Sequence, residues 1–597
     1  MPSHILKPGS SMLSSNRIAY AGLSFLFIAV ILLAAYAGRS VVTADQWHFL
    51  DVIRDYYQHG FSFRDVWEGW GPHRTPAYKT LFLLDAIYFH LNVKLEIYAG
   101  ILALLAMAVM IYQSYRESMR DSLSPIKLQL SFLVIATVIF SFNQWALYFY
   151  SLSSMDGFLG KMFFVLVWCY MDRGIRRSLS YEFIWKFCVA FLLLVLIFGE
   201  GMGAALILVA FIAMLLSGFS TRAWSDRKYR VLLIATLLTS ILSQLIYWEV
   251  PPKLQGTGHL FDAMLAVFTQ PWGALQYALT TLGSSLLNAS WLQVSTHADA
   301  ALYAVGSVVL LAYLAAAWLF FRNRMWQKTW LPLILMLYSV LFLGLLLVGR
   351  YGTGDLNSTG APRYAADLQL GIVGILWVFY YARYSNQTLT GKWLKLLVVV
   401  STIFVLVMQA SSVVLVTGMA PHQRTGIQKF TRYLISSQPS DYFSKPPPMF
   451  YCPDPALCVQ GVELLKQYSL RPFHTASSPP EINHTNNDQT TTGGAITVIA
   501  GNLEILKYGP STIQANVGFH VQANGESALW ILMNQEIQGK AYVVINGTRL
   551  PGVHRGDIVT ADIPAALYSK PGSYPMYVHE LRDHQEIKSK SVDFVVH

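Results

Sequence analysis

Asp45 is the acidic residue of ADQWHFLD, placed directly after the first long apolar run of the chain. A carboxylate held there, near water, can accept the proton that a hydroxyl nucleophile loses as it attacks. The same position also suits a helix N-cap, a role open to Thr43 or Asp45. His48 follows on the polar side of the same stretch.

Three further groups carry ionisable side chains in turn-like surroundings. GWGPHRTPAYK, residues 69–79, sets His73, Arg74 and Lys79 in a turn fixed by Gly and Pro. They are expected at the membrane surface, as ligands or as headgroup contacts. GRYGTGDLNSTGAPRY, residues 349–364, brackets a flexible segment with Arg350 and Arg363. Two guanidinium groups can bind phosphate oxygens in bidentate fashion. The alternatives are headgroup contact or an ion pair with Asp355. Asp156 and Glu200 stand near the ends of apolar runs, where ionisable groups are functional candidates by default. Glu200 lies in FGEGMG, a Gly-rich break that also reads as a wet turn, and Lys161 is placed to pair with Asp156. The sequence has no P-loop, no GxGxxG after a strand, no HExxH and no Ser elbow.

The elements that must hold these residues are set by hydropathy. Apolar and aromatic types make up 54% of the 597 residues and charged types 13%, against roughly 25% in soluble domains. Apolar runs long enough for a bilayer, about 20 residues, fall at 18–38, 94–114, 126–144, 158–172, 183–199, 201–217, 231–250, 300–321, 331–349, 366–383 and 393–416. The first run is too long for a signal h-region and no small-residue cleavage site follows it, so it reads as a retained span with residues 1–17 before it. The net charge of +10 does not point to nucleic acid, because Lys and Arg concentrate in alternate short links. Examples are Arg116, Arg120, Arg173, Arg176, Arg222, Lys228, Arg322 and Lys328. By the positive-inside rule those links are cytoplasmic, as is the N-terminus, and the C-terminal part is periplasmic.

The outer segment 39–93 has structure of its own. Trp47, Leu50, Ile53 and Tyr57 recur at helical spacing, with Asp45, His48 and Asp55 opposite. This is expected to be an amphipathic helix with its apolar side on the membrane, followed by a second interfacial stretch at 80–91. The spans and this loop form one unit, 18–416. Residues 417–476 read as a helical connecting segment, 477–494 as a Ser/Pro/Asn/Thr-rich linker, and 495–597 as a β-sandwich of short alternating runs. Cys169 and Cys188 fall in apolar runs. Cys452 and Cys458 flank the turn CPDPALC and are able to form a disulfide in an oxidising compartment.

Taken together, these pieces resemble the GT-C superfamily of bacterial integral-membrane glycosyltransferases. The resemblance spans roughly residues 18–476. It rests on Asp45 and Trp47, on His73 and Arg74, on Gly349, Arg350, Arg363 and Tyr364, and on the segment YCPDPALCVQGVELLKQYSLRPF. It implies a polyprenyl-phosphate sugar donor, Asp45 as catalytic carboxylate, and donor or acceptor contacts from His73, Arg74, Lys79, Arg350, Arg363 and Tyr364. His48, Asp156 and Glu200 are further candidates. The acceptor would be a periplasmic glycan such as O-antigen or lipopolysaccharide. Where some relatives carry an adjacent acidic pair, this chain has Asp-Gln-Trp, so no metal and no other cofactor is expected. The last hundred residues resemble Ig-like (IPT/TIG-type) domains, which implies binding rather than catalysis. The rival readings are a lipid or glycan flippase, which needs polar residues along the spans, and a ligase or polymerase using a diphosphate-linked donor, which needs a large late loop rich in Arg and His.

Overall fold

The computed structural model describes residues 16–68, 74–177, 179–198, 202–221, 223–248, 260–288, 298–352, 360–385, 392–439, 441–444, 447–448, 451–474, 497–499, 503–509, 513, 515, 527–555, 557–582 and 585–597. Two compact units divide the chain, residues 1–478 and 479–597.

Ten helices among the described residues are long and apolar enough to cross a membrane. An eleventh, Tyr181–Ile197, has 17 residues, at the lower end of what a bilayer needs. Together they occupy the eleven apolar runs, and the chain is a multi-pass membrane protein. Phe25, Leu32, Leu245, Leu311 and Val414 stand exposed on these helices, as lipid-facing side chains must. Pro362–Ser385 differs, with its apolar window buried all round inside the bundle.

Helix ends within the bundle are satisfied by side chains, because an orphan N–H away from water costs free energy. Gln129 Oε1 accepts from the N–H groups of Ile18 and Ala19 at 3.0 and 3.2 Å, at the start of the first span. Asp172 accepts from Trp330 N–H at 2.6 Å and from Thr329 Oγ1 at 3.1 Å, beside the start of Leu331–Leu346.

The first outer segment departs from the expected geometry. Residues 44–49 form a 3-10 turn, and the α-helix is Leu50–His59, ended by Gly60 at φ 80°. Its apolar side does not lie on the membrane. Trp47, Leu50 and Ile53 pack with Tyr78 and Phe82 of helix Pro76–Phe89 and with Phe430, Cys458, Val462 and Leu465. The reason is that residues 427–470 supply a second apolar surface, so protein rather than lipid covers these side chains. Each is worth about 2 kcal/mol when buried. Pro76–Phe89 is likewise half embedded in this layer, although Leu84, Tyr88 and Phe89 remain exposed.

The connecting segment expected from residue 417 begins as a continuation of the last span. Lys392–Ser436 runs for 45 residues through Pro421, long enough to carry its far end well beyond a bilayer. Pro455–Gln467 follows, with Pro at its first turn and Asp454 capping the N–H groups of Ala456 and Leu457. Cys452 and Cys458 are joined by a disulfide, and Cys169 and Cys188 are free and buried. The residues read as a linker, 477–494, lie outside those described.

The second unit is a nine-stranded sheet: β1 (Thr497–Ile499), β2 (Ile505–Gly509), β3 (Ser527–Met533), β4 (Lys540–Ile545), β5 (Thr548–Arg555), β6 (Ile558–Ile563), β7 (Gly572–Arg582), β8 (Gln585–Lys588) and β9 (Val592–Val596). The order is β1-β8-β7-β4-β5-β6-β3-β2, with β9 also on β7; among the described strands β1 and β8 pair in parallel and the other strand pairs are antiparallel. Asn546-Gly547, both at positive φ, close the tight β4–β5 hairpin. In β3 burial alternates strictly, and Leu529 and Ile531 join Val543, Val559, Val578 and Phe594 in one core. The sheet curls as a half-barrel, since Ile513, beyond β2, bridges to Val596 of β9.

Candidate functional site

Asp45 sits in the first turn of the 3-10 helix Ala44–Phe49. Thr43, not Asp45, takes the N-cap position, and its N–H donates to Gln46 Oε1 at 3.2 Å. The capping alternative for Asp45 is thereby removed. Gln46 in turn donates to Tyr78 Oη and Ser151 Oγ at 2.7 and 2.6 Å, which pins the turn to helix Pro76–Phe89 and to the fourth span.

Around Asp45 stand groups that interact with it electrostatically: Arg39, His48, Tyr150 and Arg363. Arg39 is buried just past the first span. Its guanidinium donates to Thr43 Oγ1 at 2.7 Å and lies 4.6 Å from the Tyr150 ring centre. Burial lowers its pKa to about 10, against the opposing pull of Tyr150, Tyr451 and Asp45, so it remains a cation at neutral pH. Burial also lowers His48, opposed by Asp45, Asp454 and Asp51. Arg363 opens the helix Pro362–Ser385, with its guanidinium 5.0 Å from the Tyr364 ring centre. Arg363, some 300 residues later in sequence, is thus brought within electrostatic reach of Asp45, as is the nearby His48.

Arg74 and Lys79 form a second group, packed around residues 65–68. Both are buried, which corrects the expectation of surface headgroup contacts. Arg74 donates to the Trp67 carbonyl at 2.9 Å and lies against the rings of Trp67 and Tyr247. Lys79 donates to the Glu68 carbonyl at 2.6 Å and sits 5.8 Å from the Phe49 ring centre. Burial lowers its pKa to about 8, with Glu68 and Asp65 opposing. His73 and Glu200 lie outside the described residues.

Asp156 and Arg350 share a feature that hydropathy does not reveal. Among the described residues, the two π-helical turns are Met155–Leu159 and Leu347–Tyr351, and each carries one of them. Such turns recur at functional sites. Asp156 also acts electrostatically on Tyr150 and lines a cavity together with Lys161, Phe198 and Tyr338. Lys161, expected to pair with Asp156, has a carboxylate partner further along the chain. It lies 2.9 Å from Asp367 Oδ1, which also accepts from Tyr338 Oη at 2.6 Å. Asp367 sits on the fully enclosed helix, where a carboxylate needs both the cation and the hydrogen bond to offset its desolvation.

Arg39 and Tyr150, which act electrostatically on or around Asp45, and Asp367, the partner of Lys161, are residues that sequence reading passed over. Arg39 looked like an ordinary span flank, and Tyr150 is buried in an aromatic-rich run. Only the positive charge at the C-terminal end of the first span gave a signal.

The sequence matches no protein-family model and no curated protein. Among solved structures it is similar to ArnT from Cupriavidus metallidurans bound to undecaprenyl phosphate, at 13% identity over 75% of this chain and 78% of that one, with a TM-score of 0.35. It is also similar to the oligosaccharyltransferase of Archaeoglobus fulgidus in the apo form, at 10% identity over 82% of this chain and 63% of that one, with a TM-score of 0.36. Similarity at this level leaves the chemistry to be argued from the residues.

Proposed function

We propose that the chain is an inverting glycosyltransferase of GT-C type, moving a sugar from a polyprenyl-phosphate carrier to a periplasmic surface-glycan acceptor. The observation that carries this reading is the placement of Asp45. It is relieved of capping, and it lies within electrostatic reach of both Arg39 and Arg363.

The donor's lipid tail lies among the spans and its phosphate meets Arg363 and Arg350, with Tyr364 beside them. Arg74 and Lys79, and His73 beside them in sequence, are assigned to donor or acceptor contacts. Asp45 takes the proton of the acceptor hydroxyl as its oxygen bonds to the anomeric carbon. The bond from that carbon to phosphate oxygen breaks in the same displacement, and polyprenyl phosphate leaves with the electron pair. One displacement inverts the anomeric configuration. The charge developing on the departing phosphate is where fixed guanidinium groups stabilise most.

The charge bias of the links supports an inner-membrane protein with its N-terminus cytoplasmic and its C-terminal unit periplasmic. There the β-module, whose boundaries we take as 495–597, would steer the glycan. The acceptor class, O-antigen or a related envelope glycan, belongs to this reading and no metal takes part in it.

Mass spectrometry of lipid copurifying with the protein tests the proposal. Polyprenyl monophosphate or its glycosylated form is the expected species. A polyprenyl diphosphate would overturn the donor assignment in favour of a ligase or polymerase.

A further inference from the structure

Ala44, the residue directly before Asp45, has φ 51°. That left-handed conformation costs a side-chain-bearing residue about 1–2 kcal/mol, so something must hold it. Its N–H donates to the carbonyl of Tyr451 at 3.1 Å. The same oxygen accepts from Trp47 Nε1 at 2.8 Å. A carbonyl has two lone pairs, and here they take one donor on each side of Asp45. A single atom some 400 residues away in sequence fixes the turn on which the carboxylate is mounted.

Tyr451 is itself held firmly. Its N–H donates to the Pro448 carbonyl at 2.8 Å, and its ring stacks on Phe430 at 4.8 Å. The next residue, Cys452, is bonded to Cys458. Cys458 is buried in helix Pro455–Gln467, which closes over the Trp47 indole. Gly461 of that helix is where the indole passes, since a Cβ there would collide with Trp47 and Leu50. Cross-link, capped helix and carbonyl form one brace against the turn 43–47.

We propose that the disulfide-closed segment 451–458 is a positioning element for Asp45, acting through the Tyr451 carbonyl. This rests on the reading of Asp45 as the base. The segment touches no reacting atom; it sets where the carboxylate points. Loss of the brace therefore affects turnover and leaves lipid-phosphate binding intact, because misplacement of about 1 Å in a reacting group costs up to roughly 100-fold in rate.

The test uses full-length protein in nanodiscs and two variants, Trp47→Phe and the double variant Cys452→Ser/Cys458→Ser. Three quantities are measured: affinity for undecaprenyl phosphate, kcat for release of polyprenyl phosphate from a panel of polyprenyl-phosphate sugars, and amide exchange over 43–50. The expected result is a fall in kcat of roughly 10- to 100-fold, with faster exchange at 43–50 and affinity within twofold of the parent. Parental kcat and parental exchange in both variants would overturn the proposal. Should the double variant fail to fold, seen as lost undecaprenyl phosphate binding, Trp47→Phe alone decides. Asp45→Asn is run alongside. If it stays active the Asp45 reading falls, while the exchange data still report whether the brace holds the turn.

Discussion

Arg39 Nη1 donates to Thr43 Oγ1 at 2.7 Å. This bond ties the C-terminal end of the first span to the N-cap of the turn that carries Asp45, so the cap and the candidate base are separate residues with separate roles. Thr43→Val removes the acceptor and leaves the buried guanidinium short of a partner. We expect a loss of about 1–2 kcal/mol, the range for N-cap deletions, read as a lowered unfolding midpoint in detergent. An unchanged midpoint would show that the bond contributes nothing to the turn.

Arg363 and Arg350 are assigned to the donor phosphate. Charge-assisted hydrogen bonds contribute roughly 1.5–3 kcal/mol, so alanine at either position should weaken undecaprenyl phosphate binding by about 10- to 100-fold. Titration of each variant with undecaprenyl phosphate checks this. Parental affinity in both would move the phosphate to Arg74 and Lys79.

Lys161 and Asp367 form a buried ion pair within the spans. Removing one partner strands the other charge, at a cost of roughly 3–5 kcal/mol, whereas replacing both by apolar residues of similar size is often neutral. Lys161→Met should therefore destabilise strongly, and Lys161→Met/Asp367→Leu should recover most of the loss. A double variant as unstable as the single one contradicts the assignment of the cost to an unpaired charge.

Asp85, on helix Pro76–Phe89 beside Glu96, is pushed up by burial to about 6 from an ordinary value of 3.8. Between those values the folded state binds more protons than the unfolded state. Its favourable contribution is thus full below about pH 4 and is lost as pH rises through 6. At neutral pH it costs at most about 3 kcal/mol. Asp85→Asn keeps an acceptor for the Asn92 N–H, which now reaches Oδ1 at 3.1 Å. The variant should flatten the stability profile between pH 4 and 6 and be no less stable at pH 7.5. A profile identical to the parent's would place the titration elsewhere.

The spans were readable because a bilayer demands about 20 apolar residues in a row, and that demand is local. The β-strands of the second unit were readable for a similar reason, as Leu529 and Ile531 alternate with outward residues along β3. What covers Trp47 was not readable. Its amphipathic pattern says only that one side is buried, and both lipid and the helix Pro455–Gln467 satisfy that pattern. Lys161 illustrates the same limit. Asp156, five residues before it, was the carboxylate in view, whereas Asp367 is brought to it by packing of a helix 200 residues later. Asp45 and Arg363 were legible singly as charged residues at span ends. Their electrostatic link depends on the tertiary arrangement of the bundle.

Asp45→Asn is the most direct measurement of the central claim. The variant keeps the size of the side chain and removes its capacity to accept a proton. With purified protein and a polyprenyl-phosphate sugar turned over by the parent, release of polyprenyl phosphate should fall at least about 100-fold, within the range for a lost general base, while undecaprenyl phosphate affinity and unfolding midpoint stay near parental values. Parental turnover in a folded Asp45→Asn protein would contradict the account.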